Sequence, residues 1–136
     1  MDRVFADTFY WVALANPVDP FHAEVVKRRA ELVGVSLVTT DSVLTEFLTF
    51  FSGHPSLRAR AGRTAAALLT DPNTVVLPES RQTFLFGLEL YRARPDKGYS
   101  LTDCISMETM RHEKLTNVLT NDRHFEQEGF RALFRS

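Results

Sequence analysis

The feature that most constrains this chain is an alternation of short, nearly continuous apolar runs with helix-length segments that are apolar on one face. Val4-Phe5-Ala6-Asp7 reads as a buried strand that ends at a carboxylate, and Val35 to Thr39 as a β-branched strand. Thr74 to Leu77, Asn117 to Thr120 and a last run around Ala132 to Phe134 have the same character. The segments between them read as helices. Phe9 to Ala15 is closed by Asn16-Pro17, and Phe21 to Val33 places Phe21, Val25, Val26, Ala30 and Val33 on one face before Gly34 stops it. Asp41 is placed to cap a helix whose apolar stripe is Val43, Leu44, Phe47, Leu48 and Phe51. Leu57 to Leu69, Ser80 to Tyr91, about Ser100 to His112, and a short helix near His124 complete the series. Strands without polar alternation are buried on both faces, and a parallel sheet covered by helices on each side provides that burial. An α/β fold is expected.

In such a fold a ligand site lies beyond the carboxyl ends of the strands. Asp7 follows the first strand and Asp122 the fourth, so both are expected on that edge. At 136 residues, without repeats or low-complexity segments, one hydrophobic core is the default. The net charge of -1 excludes a protein that coats nucleic acid by bulk positive charge, so any contact with RNA must be local. Basic groups at Lys27, Arg28, Arg29 and at Arg58, Arg60, Arg63 offer such contacts, but they read equally as solvated helix faces. Cys104 is the only cysteine, which excludes an internal disulfide or a cysteine zinc cluster within one chain and suits a reducing cytoplasm. The amino-terminal residues run directly into strand-like sequence, so no secretory signal is expected, and no apolar run is long enough for a membrane span.

Each acid near the expected site has a structural reading when taken alone. Asp7 and Asp122 stand where helix caps belong, Asp103 completes a Ser-x-x-Asp capping box with Ser100, and Glu46 flanks the apolar stripe of its helix. Together they mean something different. Four carboxylates at one sheet edge repel one another, and a divalent cation is the usual way to hold such a cluster. Hard oxygen donors favour magnesium or manganese, and the chemistry that follows is hydrolysis of a phosphodiester. Other enzyme classes fare worse. A phosphatase of the haloacid dehalogenase type needs a second acid two residues after the first, where this chain has Phe9, and neither a glycine-rich phosphate loop nor Gly-x-Ser-x-Gly occurs. His22, His54 and His112 lack the pairing of a zinc-binding helix.

Four segments carry a resemblance. Phe5-Ala6-Asp7-Thr8-Phe9-Tyr10-Trp11, Thr40-Asp41-Ser42-Val43-Leu44-Thr45-Glu46-Phe47, Ser100-Leu101-Thr102-Asp103-Cys104-Ile105-Ser106-Met107 and Leu119-Thr120-Asn121-Asp122-Arg123-His124-Phe125 resemble, in order, the acidic motifs of PIN-domain ribonucleases of the VapC toxin type. The resemblance implies a single PIN domain over residues 1–136, a three-layer α/β/α sandwich with a parallel sheet of about five strands in the order 3-2-1-4-5. It also implies endoribonuclease activity dependent on Mg2+ or Mn2+, with Asp7, Glu46, Asp103 and Asp122 as the catalytic and metal-binding set. Asp7, Asp122 and Asp103 are then direct ligands, Glu46 a ligand or the group that orients the water, and Thr8 and Thr120 hydrogen-bonding supports. His124 is expected to position the loop that follows it, and Cys104 to be a small buried residue. Implied partners are an RNA substrate, a small VapB-like antitoxin whose arginine enters the acidic site, and a second copy in a homodimer, with no membrane. The alternatives are a free-standing PIN nuclease without antitoxin and a non-catalytic PIN-like module that binds RNA or protein, against which the intact set of acids weighs.

Overall fold

The computed structural model describes residues 1–135. Its strands are β1 (Arg3–Ala6), β2 (Ser36–Thr40), β3 (Thr74–Leu77), β4 (Asn117–Leu119) and β5 (Arg131–Ala132). Its helices are α1 (Thr8–Ala15), α2 (His22–Glu31), α3 (Asp41–Phe50), α4 (Pro55–Leu68), α5 (Arg81–Ala93), α6 (Leu101–His112) and α7 (Arg123–Gln127). The strands form one parallel sheet in the order β3-β2-β1-β4-β5, with Phe5 opposite Val38 on one side and Val118 on the other. Successive residues of a strand face opposite sides of a sheet, and Val4, Phe5 and Ala6 have no exposed surface. Helices therefore cover both faces, and the fold is the expected three-layer α/β/α sandwich. Among the described residues no helix is long and apolar enough to cross a membrane.

The core is built on Phe5, Tyr10, Phe47, Phe51, Met107, Met110 and Phe125, all essentially without exposure. Each such side chain contributes about 1.5–3 kcal/mol of burial. Helices α5 and α6 approach closely because Gly87 has no side chain: a Cβ there would overlap the Ile105 side chain. The sequence-level helices and strands are all present, with differences at three places. The N-cap of α3 is Thr40, whose hydroxyl accepts from the Val43 N–H at 3.1 Å. Asp41 is instead the first helical residue, and its Oδ2 accepts from Glu79 N–H at 3.0 Å, fastening the helix to the loop after β3. On α2 the inward residues are Val25 and Leu32, with Phe21 packed edge-on against Phe9, while Val26, Ala30 and Val33 are exposed. The helix stops at Glu31, so helical spacing no longer governs where Val33 points. The strand β5 begins at Arg131 and is only two residues long, although the Leu133 and Phe134 N–H groups still donate to Val118 and Thr120 of the neighbouring segment.

Candidate active site

Strand order reverses at β1, which lies between β2 and β4, and a crevice opens where the connections leave the sheet in opposite directions. Asp7 immediately follows β1, and Thr120 and Asp122 follow β4. Asp103 stands in the first turn of α6 and Glu46 on α3. Three of these acids are at helix amino termini, Asp7 and Asp122 as N-caps and Asp103 three residues inside its cap. The positive end of the helix dipole offsets part of the cost of gathering them.

Asp7 is 5% exposed, and its cap position carries no side-chain cap hydrogen bond. Its Oδ2 accepts from the Thr120 hydroxyl at 2.9 Å, and its Oδ1 is buried without a partner. Burial, and next the charge of Asp103, push the Asp7 carboxyl up to about 7, with Glu46 adding less in the same direction. Thr120 also accepts from the Asp122 N–H at 3.2 Å, so one hydroxyl couples the ends of β1 and β4. Asp122 Oδ1 accepts from the His124 N–H at 2.9 Å, which caps α7. Asp103 forms the expected capping box with Ser100, and burial, with the charges of Asp122 and Glu46, holds its carboxyl above the usual range. Glu46 is half-buried and takes a 2.5 Å hydrogen bond from the Thr8 hydroxyl. Thr8 and Thr120 thus each hydrogen-bond to one of the four acids.

Donor atoms of Asp103, Asp122 and His124 all lie within 4.8 Å of one another. Asp7 joins this edge through Thr120, while Glu46 stands outside the tight trio and acts on Asp7 and Asp103 through its charge. Among the described residues no lysine or arginine pairs with any of the four acids. Four of the six basic groups read from the sequence lie elsewhere. Arg28, Arg58 and Arg60 donate to the carbonyls of Leu133, Ser52 and Ala15, and Arg29 and Arg60 line a concavity of about 720 Å³. Val35, Asn73 and Thr74 border that concavity, so it lies at the amino ends of β2 and β3, opposite the acids. A buried carboxylate with an unpartnered oxygen, beside further oxygen donors and a histidine and without a lysine or arginine, is a donor set that fits a hard divalent cation.

The PIN domain family model matches residues 4–130. The chain belongs to the PIN domain family. A solved structure of VapC20 from Mycobacterium tuberculosis, described as a toxin that cleaves the sarcin-ricin loop, matches with a TM-score of 0.84 and 24% identity. The match covers 93% of this chain and 95% of that one, and it shows the same fold. No curated protein matches the sequence.

This PIN domain also contains a support that sequence reasoning missed. The Tyr99 ring meets His124 edge-on at 5.2 Å, and its hydroxyl donates to Glu128 at 2.9 Å. Glu128 is held by Arg94 at 2.9 Å and Arg111 at 2.7 Å. Burial raises its pKa, but the hydrogen bonds from Arg94, Arg111 and Tyr99 outweigh that and keep the carboxyl below its usual range. The only sequence signal was the position of Tyr99 directly before the Ser100 motif. Cys104 is fully buried, and burial pushes its thiol up to about 11, so it is the inert core residue expected.

Proposed function

We propose that this PIN domain, a single unit over residues 1–136, is a metal-dependent endoribonuclease and the toxin of a VapBC-type pair. Asp7, Glu46, Asp103 and Asp122 are its catalytic and metal-binding residues, and Mg2+ or Mn2+ is its cofactor. The observation that carries this reading is the Asp7 carboxylate, buried at the reversal of strand order with Oδ1 unpartnered and two further acids beside it. The helix terminus and the Thr120 hydroxyl supply no full countercharge to it, and a cation would satisfy it.

When bound, the divalent ion supplies charge neutralisation at the phosphate and activation of a water nucleophile. The chain's own groups hold the carboxylates in place for this. Thr120 fixes the Asp7 Oδ2 and the Asp122 backbone together, so the two acids keep their relative position. Ser100 fixes Asp103 through the capping box. The Thr8 hydroxyl occupies Glu46 Oε1, which leaves Oε2 free to orient a water or accept its proton.

RNA as the substrate is supported by family membership and by the toxin VapC20, whose fold this chain shares. The same likeness supports a small VapB-like antitoxin, whose arginine would pair with the carboxylates, a homodimer, and action in the cytoplasm away from any membrane. The test is digestion of total cellular RNA by the purified protein with Mn2+, with EDTA, and with Asp7→Asn in parallel. Discrete products that require both the metal and Asp7 are expected. Cleavage that persists in EDTA or in the variant overturns the assignment, and absence of both cleavage and Mn2+ binding favours a non-catalytic binding module.

A further inference from the structure

His124 has a backbone role, since its N–H caps α7 through Asp122, but its side chain has no evident structural task. Two other histidines of the chain are anchored: Nδ1 of His22 lies 2.7 Å from the Ala13 carbonyl and Nδ1 of His112 lies 2.8 Å from the Glu108 carbonyl. The His124 Nδ1 atom is buried and has no hydrogen-bond partner. It nevertheless stands 3.2 Å from Asp122 Oδ1 and 3.9 Å from Asp103 Oδ2. The distance to Asp122 would allow a hydrogen bond, yet the direction in which the ring nitrogen points does not make one. Atoms that crowd together without bonding to one another are placed like donors aimed at a common point. Donors around a single small divalent ion, each about 2.1 Å from it, lie about 3 to 4 Å apart.

Two further observations point the same way. Asp7, on the same edge and 5% exposed, keeps Oδ1 unpartnered and is joined to Asp122 through Thr120. The imidazole is also held from behind. Tyr99 packs edge-on against the ring and is fixed by Glu128, which Arg94 and Arg111 hold in turn. A histidine whose only task was to position a loop would not need an anchored aromatic wall together with a bare buried nitrogen.

We infer that His124 is a nitrogen ligand of the cation at this edge, beside Asp103 and Asp122, and that it biases the site toward Mn2+ over Mg2+. The inference rests on the reading of the acidic edge as a metal centre. Magnesium takes oxygen donors and retains its waters, whereas an imidazole nitrogen adds affinity for transition ions.

The test uses the full chain without a histidine tag. Mn2+ binding is followed by loss of the free-ion electron paramagnetic resonance signal, competition with Mg2+ gives the preference, and pulsed measurements detect nitrogen coupled to the bound ion. One tightly bound Mn2+ with 14N coupling of imidazole type is expected. His124→Asn should remove that coupling and reduce the Mn2+ over Mg2+ preference by about tenfold, the scale of a lost site contact. The wild-type spectrum decides the question even where the variant folds poorly. Bound Mn2+ without nitrogen coupling, or coupling that survives in His124→Asn, overturns the role of His124 and leaves the metal centre standing. Failure of the wild type to bind Mn2+ overturns both.

Discussion

Asp7 receives one side-chain hydrogen bond, from Thr120, while the Glu128 carboxylate, on a side chain 5% exposed, receives Arg94, Arg111 and Tyr99. The two acids shift in opposite directions as a result. Burial, and then Asp103, push Asp7 up to about 7, whereas the two arginines and the tyrosine overcome burial and hold Glu128 low. Burial alone therefore does not mark a functional acid in this fold. What separates the two is whether the chain supplies the compensating charge. Glu128 has its cations within the protein and joins α5, α6 and the end of α7, while Asp7 has no lysine or arginine beside it.

The largest effect that tests this contrast is on activity. Asp7→Asn keeps the volume and removes the charge, and it should lower the cleavage rate on the order of 10³-fold or more, because several kcal/mol of charge stabilisation depend on that carboxylate. Single-turnover cleavage of a mapped RNA fragment measures it. A variant that cleaves at the wild-type rate removes Asp7 from the site and makes its poor pairing an accident of packing.

The pH dependence of metal-free stability should divide the two acids next. The Asp7 carboxyl ordinarily titrates near 3.8 and is raised to about 7, so the folded chain binds the extra proton through that interval. Its stabilising contribution is present below about 4 and is lost as pH rises through about 7, a swing of about 4 kcal/mol for that span. Glu128 is shifted the other way, and its contribution is present at neutral pH and lost as pH falls through its lowered pKa. Urea unfolding in EDTA should therefore show stability declining from pH 5 to pH 8. Mn2+ should reduce that decline, and Asp7→Asn should remove most of it, the raised Asp103 carboxyl accounting for the rest. A flat profile in the wild type would mean that the carboxylate is already compensated.

The sequence was informative about one of these acids and silent about the other, for a physical reason. Asp7 stands at the end of a continuous apolar strand, and such strands fix both the parallel sheet and the edge where its carboxyl ends converge. The same logic brought Asp122 to that edge, and the resemblance of their motifs to the family's brought Glu46 and Asp103. Glu128 meets Arg94 across 34 positions and Arg111 across 17, and no local periodicity reports a pairing at those separations. The closeness of the His124 side chain to Asp103 was equally silent in the sequence, because it exists only after α6 and α7 have packed. On α2 the period was right but the face was not: Val26, Ala30 and Val33 fit a helical stripe, but the segment docks through Phe21, Val25 and Leu32.

Glu128→Gln should destabilise the fold by about 2 kcal/mol, read as a shift in the urea midpoint. Removing one partner of a buried pair costs about 3–5 kcal/mol, and the figure is discounted here because Arg94 and Arg111 are 39% and 37% exposed and can recover water. Asp7→Asn, by contrast, should leave metal-free stability at pH 8 unchanged or higher. Equal destabilisation by the two substitutions would erase the distinction between a compensated acid and an uncompensated one.

The smallest effect is the most discriminating, and it concerns the one hydroxyl that Asp7 does have. Thr120→Val keeps the shape of the side chain and removes both the donor to Asp7 Oδ2 and the acceptor for the Asp122 N–H. The loss should be about 1 kcal/mol in stability. Without that donor Asp7 holds its proton more firmly, so Mn2+ must displace it at a higher cost wherever the acid is protonated. Mn2+ affinity measured by calorimetry should therefore fall about fivefold at pH 6 and by much less at pH 8.5, where Asp7 is largely ionised with or without Thr120. An equal loss at both pH values would mean that Thr120 acts by geometry alone, holding β1 and β4 in register for the ion rather than easing the charge on Asp7.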